Sequence, residues 1–170
     1  MNTTGQSSKV SIGTVNDTSK TEYVRNETLA LTISAPKNEG NHHGNVYKGW
    51  FIPPASTNYT FWMACDDHCI LKLGKTPGVG NTTVNVTVNG TDIVTDNVRD
   101  IIQIYSWSGW RDYFKADGKN RSSGKIYLEA NQPYYLETNH VEGGGGDNID
   151  VAVEIESNTT VGHYHAVKEQ

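Results

Sequence analysis

The sequence predicts an all-β protein, an antiparallel sandwich or barrel, on three observations. Apolar and polar residues alternate with period two over many short stretches, helical periodicity is hard to find, and turn-forming residues separate the stretches. The alternation is clearest where Ile149, Val151, Val153 and Ile155 interleave with Asp150, Ala152, Glu154 and Glu156, a strand buried on one side.

Taken in chain order, Tyr59, Phe61 and Met63 form an inward row, and residues 70–73 resume a strand after an acidic step. In NTTVNVTVNGT, alternation puts Val84, Val86 and Val88 on one face and Asn81, Asn85 and Asn89 on the other, towards solvent. A further strand runs around Ile102 and Ile104, and two more over 126–130 and 134–141, separated by the turn signal Asn131-Gln132-Pro133. At 170 residues the chain suits one domain, 1–170, with residues 1–22 polar enough to form a partly mobile segment.

Charge narrows the partners. A formal net charge of −5 argues against a nucleic-acid surface and a membrane patch, and suits a cation. No run of about 18 apolar residues spans a bilayer. The opening MNTTGQSSK lacks the apolar core of a signal peptide, so the expectation is a mature portion of a secreted protein. Secretion is suggested by the acceptor pattern Asn-x-Ser/Thr, which begins at Asn2, Asn16, Asn26, Asn58, Asn81, Asn85, Asn89, Asn120 and Asn158, more often than the composition gives by chance.

One stretch resists the simple pattern. In ACDDHC, Asp66 and Asp67 stand side by side between the two cysteines, Cys65 and Cys69, where like charges repel and neighbouring side chains of a strand point apart. A solvated turn would account for the pair alone, and a flexible hairpin tip for Gly143-Gly144-Gly145-Gly146 alone.

The order of segments is more specific. GTVND, then ISAPKNEGNHHGNVYKGWFIPPASTNYTFWMACDDHCILKLG, then WSGWRDYF, then IYLEANQPYYLETNHVEGGGGDNIDVAVEI resembles the PA14 domain over about residues 12–156, leaving 1–11 and 157–170 as flanks. In that family a G-hydrophobic-PP-x-x-x-x-Y-T-F strand runs into a DD step, and a YY-x-E-x-x-H-x-E-G-G-G-x-D segment closes the site. The chain is similar to PA14 modules of fibrocystin-type receptors and of flocculin-like adhesins. It departs from the pattern in residues 1–12, where the usual G-L-x-x-x-Y-W opening strand is not recognisable.

The resemblance implies a PA14-type antiparallel β-sandwich in which a cis peptide joins Asp66 to Asp67 and both ligate one Ca2+. Six to eight oxygens suit calcium, so the resemblance adds carbonyls from Gly144 and Gly145 and a third carboxylate from Asp147. In lectin-like relatives, sugar hydroxyls complete the shell. The ligand-contacting set would then be Asp66, Asp67, His68, Trp107, Trp110, His140 and Glu142, although Trp110 also suits corner packing and His140 a hydrogen-bonded structural role.

Cys65 and Cys69 are too far apart for a disulfide along an extended strand, and the turn that the cis step would make permits one in an oxidising compartment. A zinc site is the alternative, with poor spacing. No Ser/His/Asp order, phosphate loop or HExxH pattern indicates an enzyme.

Two readings follow. One is a calcium-dependent carbohydrate-binding module of a larger multidomain protein at the cell or ciliary surface or secreted, with glycans or glycoproteins as partners. The other is a calcium-stabilised structural module for protein–protein contacts, favoured if His68 or a glycan on Asn58 closes the ion's open position.

Overall fold

The computed structural model describes residues 33, 34, 38, 40–114, 120–156, 163 and 164. The polar segment 1–22 and the acceptors Asn2, Asn16, Asn26 and Asn158 lie outside these residues.

Ten strands follow one another among the described residues: β1 (His43–Phe51), β2 (Thr57–Asp66), β3 (His68–Gly74), β4 (Thr83–Val88), β5 (Thr91–Asp96), β6 (Val98–Tyr105), β7 (Ser122–Leu128), β8 (Tyr134–Glu142), β9 (Asn148–Ile155) and β10 (His163–Tyr164). They form two four-stranded antiparallel sheets, β1-β8-β3-β6 and β10-β9-β2-β7, with β4-β5 as a separate two-stranded ribbon. The expected sandwich is what the chain forms. The strand expected over 126–130 begins earlier, at Ser122, and ends at Leu128.

Alternation builds the core between the sheets. Tyr59, Phe61, Met63 and Cys65 of β2 are fully buried, as are Cys69, Leu71 and Leu73 of β3 opposite them. Ile102 and Ile104, Leu128, Leu136 and Ile149 complete the layer. Full burial of each aliphatic chain contributes about 1.5–3 kcal/mol. Phe51 closes one end, edge-on to Tyr59 at 5.5 Å and to Phe61 at 5.2 Å between ring centroids. The hydroxyl of Tyr59 donates to the Ala55 carbonyl at 2.7 Å and accepts the Ala55 N–H at 3.1 Å, so the polar tip of this buried ring is satisfied.

The ribbon follows its turn chemistry. Asn89 and Gly90 both adopt positive φ, 50° and 79°, as a two-residue type I′ hairpin requires. The valine and asparagine faces separate as alternation predicts, with Val86 opposite Ile93 and Asn85 opposite Val94. The valine face, however, is not a core face, because Val86, Val88 and Ile93 are exposed.

What fastens the ribbon to the sandwich is Asn97, a fully buried polar residue. Its Oδ1 accepts the Thr76 N–H at 2.9 Å, and its Nδ2 donates to the carbonyls of Val79 (2.6 Å) and Gly80 (3.0 Å). Removing the buried amide breaks three hydrogen bonds to part-buried backbone groups, each contributing about 0.5–1.5 kcal/mol. Asn97→Ala is therefore expected to lower unfolding stability by at least about 1–3 kcal/mol in a urea titration, with faster amide exchange in residues 75–97. A change below about 0.5 kcal/mol, typical of an ordinary surface substitution, would contradict this role.

Candidate metal centre

The strand β8 carries the chemistry to one end of the sandwich. Its inner face reads Tyr134, Leu136, Thr138, His140, Glu142, opposite Phe51, Gly49, Tyr47, Asn45 and His43 of β1. Along this single row the side chains change from apolar to acidic while all remain buried. Thr138 is still within the core, its hydroxyl 3.9 Å from the Met63 sulfur. The last two positions face the ends of β2 and β3, where the Asp66–Asp67 peptide is cis.

Three carboxylates meet there. Asp66, Asp67 and Glu142 each offer an oxygen, and the three atoms lie within 4.8 Å of one another. Asp67 is held by the Gly143 N–H, which donates to its Oδ2 at 2.9 Å. Glu142 is fully buried, and neither of its oxygens has a hydrogen-bond donor among the described residues. The Gly144 N–H, the one neighbour that favours its charged form, falls short of a full hydrogen bond. Burial, followed by the charges of Asp67, Asp66 and Asp147, pushes Glu142 from the ordinary 4.5 up to about 7.

Asp147, expected as the third carboxylate, stands slightly apart from this triad. It is buried, and its Oδ2 accepts the Gly40 N–H at 3.1 Å and lies 3.7 Å from His43 Nε2. The third close carboxylate is Glu142, which the sequence placed among the ligand contacts. Gly145 takes a positive φ of 113°, and its N–H donates to Asn41 Oδ1 at 3.1 Å. Gly146 lies against both walls of the site, since a Cβ there would be in van der Waals contact with Asn38 Oδ1 at 3.4 Å and Asp66 Oδ2 at 3.8 Å. Asn38, Gly40 and Asn41 thus brace the glycine loop, a role the sequence reading did not assign to them. The density of Asn, Gly and His in EGNHHGN is the only signal that could have pointed there.

His140 is not a surface contact. It is 1% exposed, its Nε2 lies 2.6 Å from the Asp66 carbonyl and its Nδ1 3.4 Å from Asn45 Nδ2. A carbonyl partner assigns the proton to Nε2, and burial pushes the pKa below its usual value, so the ring is neutral. It supports the acidic step from beneath.

His68 also leaves the site. Cys69 takes the inner face, so His68 turns outward and lies edge-on to Tyr105 at 5.8 Å between ring centroids. Cys65 and Cys69 are disulfide-bonded with Cα atoms 6.4 Å apart, closing the turn that carries both aspartates.

The WSGWRDYF segment is tied to the same end. Ser108 donates its N–H to the Cys65 carbonyl at 2.6 Å and its hydroxyl accepts the Cys65 N–H at 2.9 Å, while Asn148 Nδ2 donates to the Ser108 carbonyl at 2.9 Å. Tyr113 and Arg111 both engage the buried Asp150 carboxylate, the tyrosine hydroxyl donating. Anchored this way, the segment keeps Trp107 57% and Trp110 41% exposed, with the Arg111 guanidinium 4.3 Å over the Trp110 ring.

Comparison with known proteins agrees with this architecture. The PA14 domain family profile matches residues 25–162. Among solved structures, the chain is similar to the epithelial adhesin 6 A domain from Candida glabrata, crystallised in complex with Galβ1-3GlcNAc. The identity is 11% and the TM-score 0.42, over 71% of this chain and 47% of that one. The chain thus spans about half the length of that structure. No curated protein matches. With the family profile covering most of the chain and the sandwich carrying its acidic step and glycine loop at one end, the chain belongs to the PA14 domain family.

Proposed function

We propose that the chain is a non-enzymatic, calcium-dependent carbohydrate-binding module used in adhesion or recognition at the outside of a cell. The observation that carries this reading is Glu142, a fully buried carboxylate beside Asp66 and Asp67 whose two oxygens lack a hydrogen-bond donor among the described residues. Such a group is costly unless a cation compensates it. An all-oxygen donor set at a flexible glycine loop suits calcium, which takes six to eight oxygens. Asp66, Asp67 and Glu142 would hold the ion, and Asp147 and the carbonyls of Gly144 and Gly145 would add the further oxygens that the family resemblance implies.

Bound calcium would supply a centre at which vicinal sugar hydroxyls replace water, in the way the family resemblance implies. The chain's own residues do the rest. Trp107, 57% exposed on the segment tied to the acidic end, offers an apolar ring face to a pyranose. Glycoside hydrolysis needs two carboxyl groups on either side of a sugar ring, whereas Asp66, Asp67 and Glu142 turn their oxygens to one common point.

Calcium at about 100 times its Kd is expected to stabilise the fold by about 2.7 kcal/mol, raising Tm by about 5–10 °C. Asp67→Ala should abolish that gain, and an unchanged calcium response in this variant would remove the proposed site. A glycan array in millimolar calcium should show binding that disappears in EDTA. Silence in both conditions, with the Tm gain intact, would assign the ion a structural role alone.

Glu142 provides an independent check. Its folded pKa is raised, so the folded state binds more protons than the unfolded one between about pH 4.5 and 7. In EDTA the protein should therefore lose stability as pH rises through that window. Glu142→Gln should flatten this slope and be the more stable protein at pH 8 without calcium, yet gain less from calcium. Equal pH slopes for the two proteins in EDTA would refute the buried charge.

A further inference from the structure

A second site lies on the outer face of the β10-β9-β2-β7 sheet. Tyr59 is fully buried, so its neighbours Asn58 and Thr60 point outward together, presenting the amide and hydroxyl of an Asn-x-Thr acceptor on one face. Directly opposite Asn58 in the ladder stands Tyr127 of β7. Leu128 is buried and Ile126 packs on the core, which leaves Tyr127 outward and 62% exposed. Side chains directly opposite in an antiparallel pair have Cβ atoms about 4.5–5.5 Å apart. On the other side, Asn58 Nδ2 donates to Glu156 Oε2 at 2.6 Å, and Lys125 pairs with the same glutamate. The acceptor amide is thus held in a row running from Glu156, just past the end of β9, through Asn58 of β2 to Tyr127 of β7.

The other described acceptors lack this setting. Asn81 Nδ2 is 3.3 Å from Oε2 of the buried Glu137, so a sugar there competes with an internal contact. Asn85 faces Val94, Asn89 lies in the ribbon's turn, and Asn120 Oδ1 accepts from the Ser122 N–H at 3.3 Å. Among the described acceptors, only Asn58 has an aromatic ring directly across the ladder.

We propose that Asn58 is N-glycosylated and that its first N-acetylglucosamine lies flat on the Tyr127 ring. The donor class is a lipid-linked oligosaccharyl diphosphate, used by a membrane glycosyltransferase. Asn58 Nδ2 forms the bond to the sugar's C1, and the C1–O bond to the diphosphate breaks with its electron pair leaving on the diphosphate. One Nδ2 proton passes to a base of the transferase. The amide nitrogen keeps its second hydrogen, so the contact with Glu156 survives. The apolar C–H face of the pyranose then covers a ring otherwise left in water. This inference is independent of the ion site.

The test is a two-by-two comparison of the full chain secreted from insect or mammalian cells. Peptide mapping after enzymatic deglycosylation in heavy-oxygen water reads occupancy at Asn58. Tm is then measured for the chain trimmed to a single N-acetylglucosamine and for Asn58→Gln, each with Tyr127 and with Tyr127→Ala. The expected result is an occupied Asn58, and a Tyr127→Ala loss that is about 2–4 °C larger with the sugar than without it. Tyr127→Phe should behave as the parent. An unmodified Asn58 overturns the proposal, and so does a Tyr127→Ala shift that is equal in the two backgrounds.

Discussion

Every residue of β8 is buried, and each charge on it must be compensated inside the protein or by something brought to it. This is the constraint on which the molecule turns. Two glutamates five residues apart meet it in opposite ways. Glu137 faces outward from the sheet, beneath Lys72 Nζ at 3.6 Å and Lys48 Nζ at 3.9 Å, and accepts the Tyr135 hydroxyl at 2.7 Å. Its negative charge is answered by cross-strand partners from both neighbouring strands. Glu142 lies on the other face, among three aspartates, and no Lys or Arg pairs with it among the described residues. The same fold that neutralises one glutamate leaves the other as an electrostatic demand.

That demand is maintained rather than relaxed because the surrounding turns are fastened. The Cys65–Cys69 bridge closes the chain on either side of Asp66 and Asp67, and Ser108 bonds both backbone groups of Cys65. His140 pins the Asp66 carbonyl from below, and the Gly143 N–H pins the Asp67 carboxylate from the side. Carboxylates on mobile loops would drift apart and hydrate. Here the backbone that carries them has little freedom, so the oxygens stay grouped within 4.8 Å.

Much of this is legible from period-two alternation, because burial on one face imposes the pattern directly. The rows Tyr59–Phe61–Met63 and Ile149–Val151–Val153–Ile155, and the acidic step itself, stand where the residues place them. What alternation does not reveal is which face meets which partner. Val84, Val86 and Val88 carry the pattern of a core strand yet form an exposed ribbon, since the pattern reports a face and not its cover. Glu142 reads as a sugar contact and Asp147 as the third carboxylate, and sequence spacing does not show that the inner row of β8 ends beside Asp67 while Asp147 lies by Gly40 and His43. His140 reads equally as a hydrogen-bonded structural residue and as a ligand contact, and alternation alone does not choose between them. Its burial depends on β1 and β2 closing over it, contacts nearly a hundred and over seventy residues away in sequence.

The two ends of β2 divide the molecule. Asp66 closes one end and Asn58 lies at the other, eight residues away, about 26 Å along an extended strand. The ribbon with Asn81, Asn85 and Asn89 joins the sandwich after β3 and before β6, at the Asn58 end, because β3 runs back from the acidic step. Asn58 and the root of the ribbon thus lie away from the carboxylates, and Asn120, just before β7, is the described acceptor towards the acidic end. His68 has likewise turned outward to Tyr105. With Asn58 at the far end of β2, neither of the two groups that would close an ion's outer position on sequence grounds is directed at the three carboxylates.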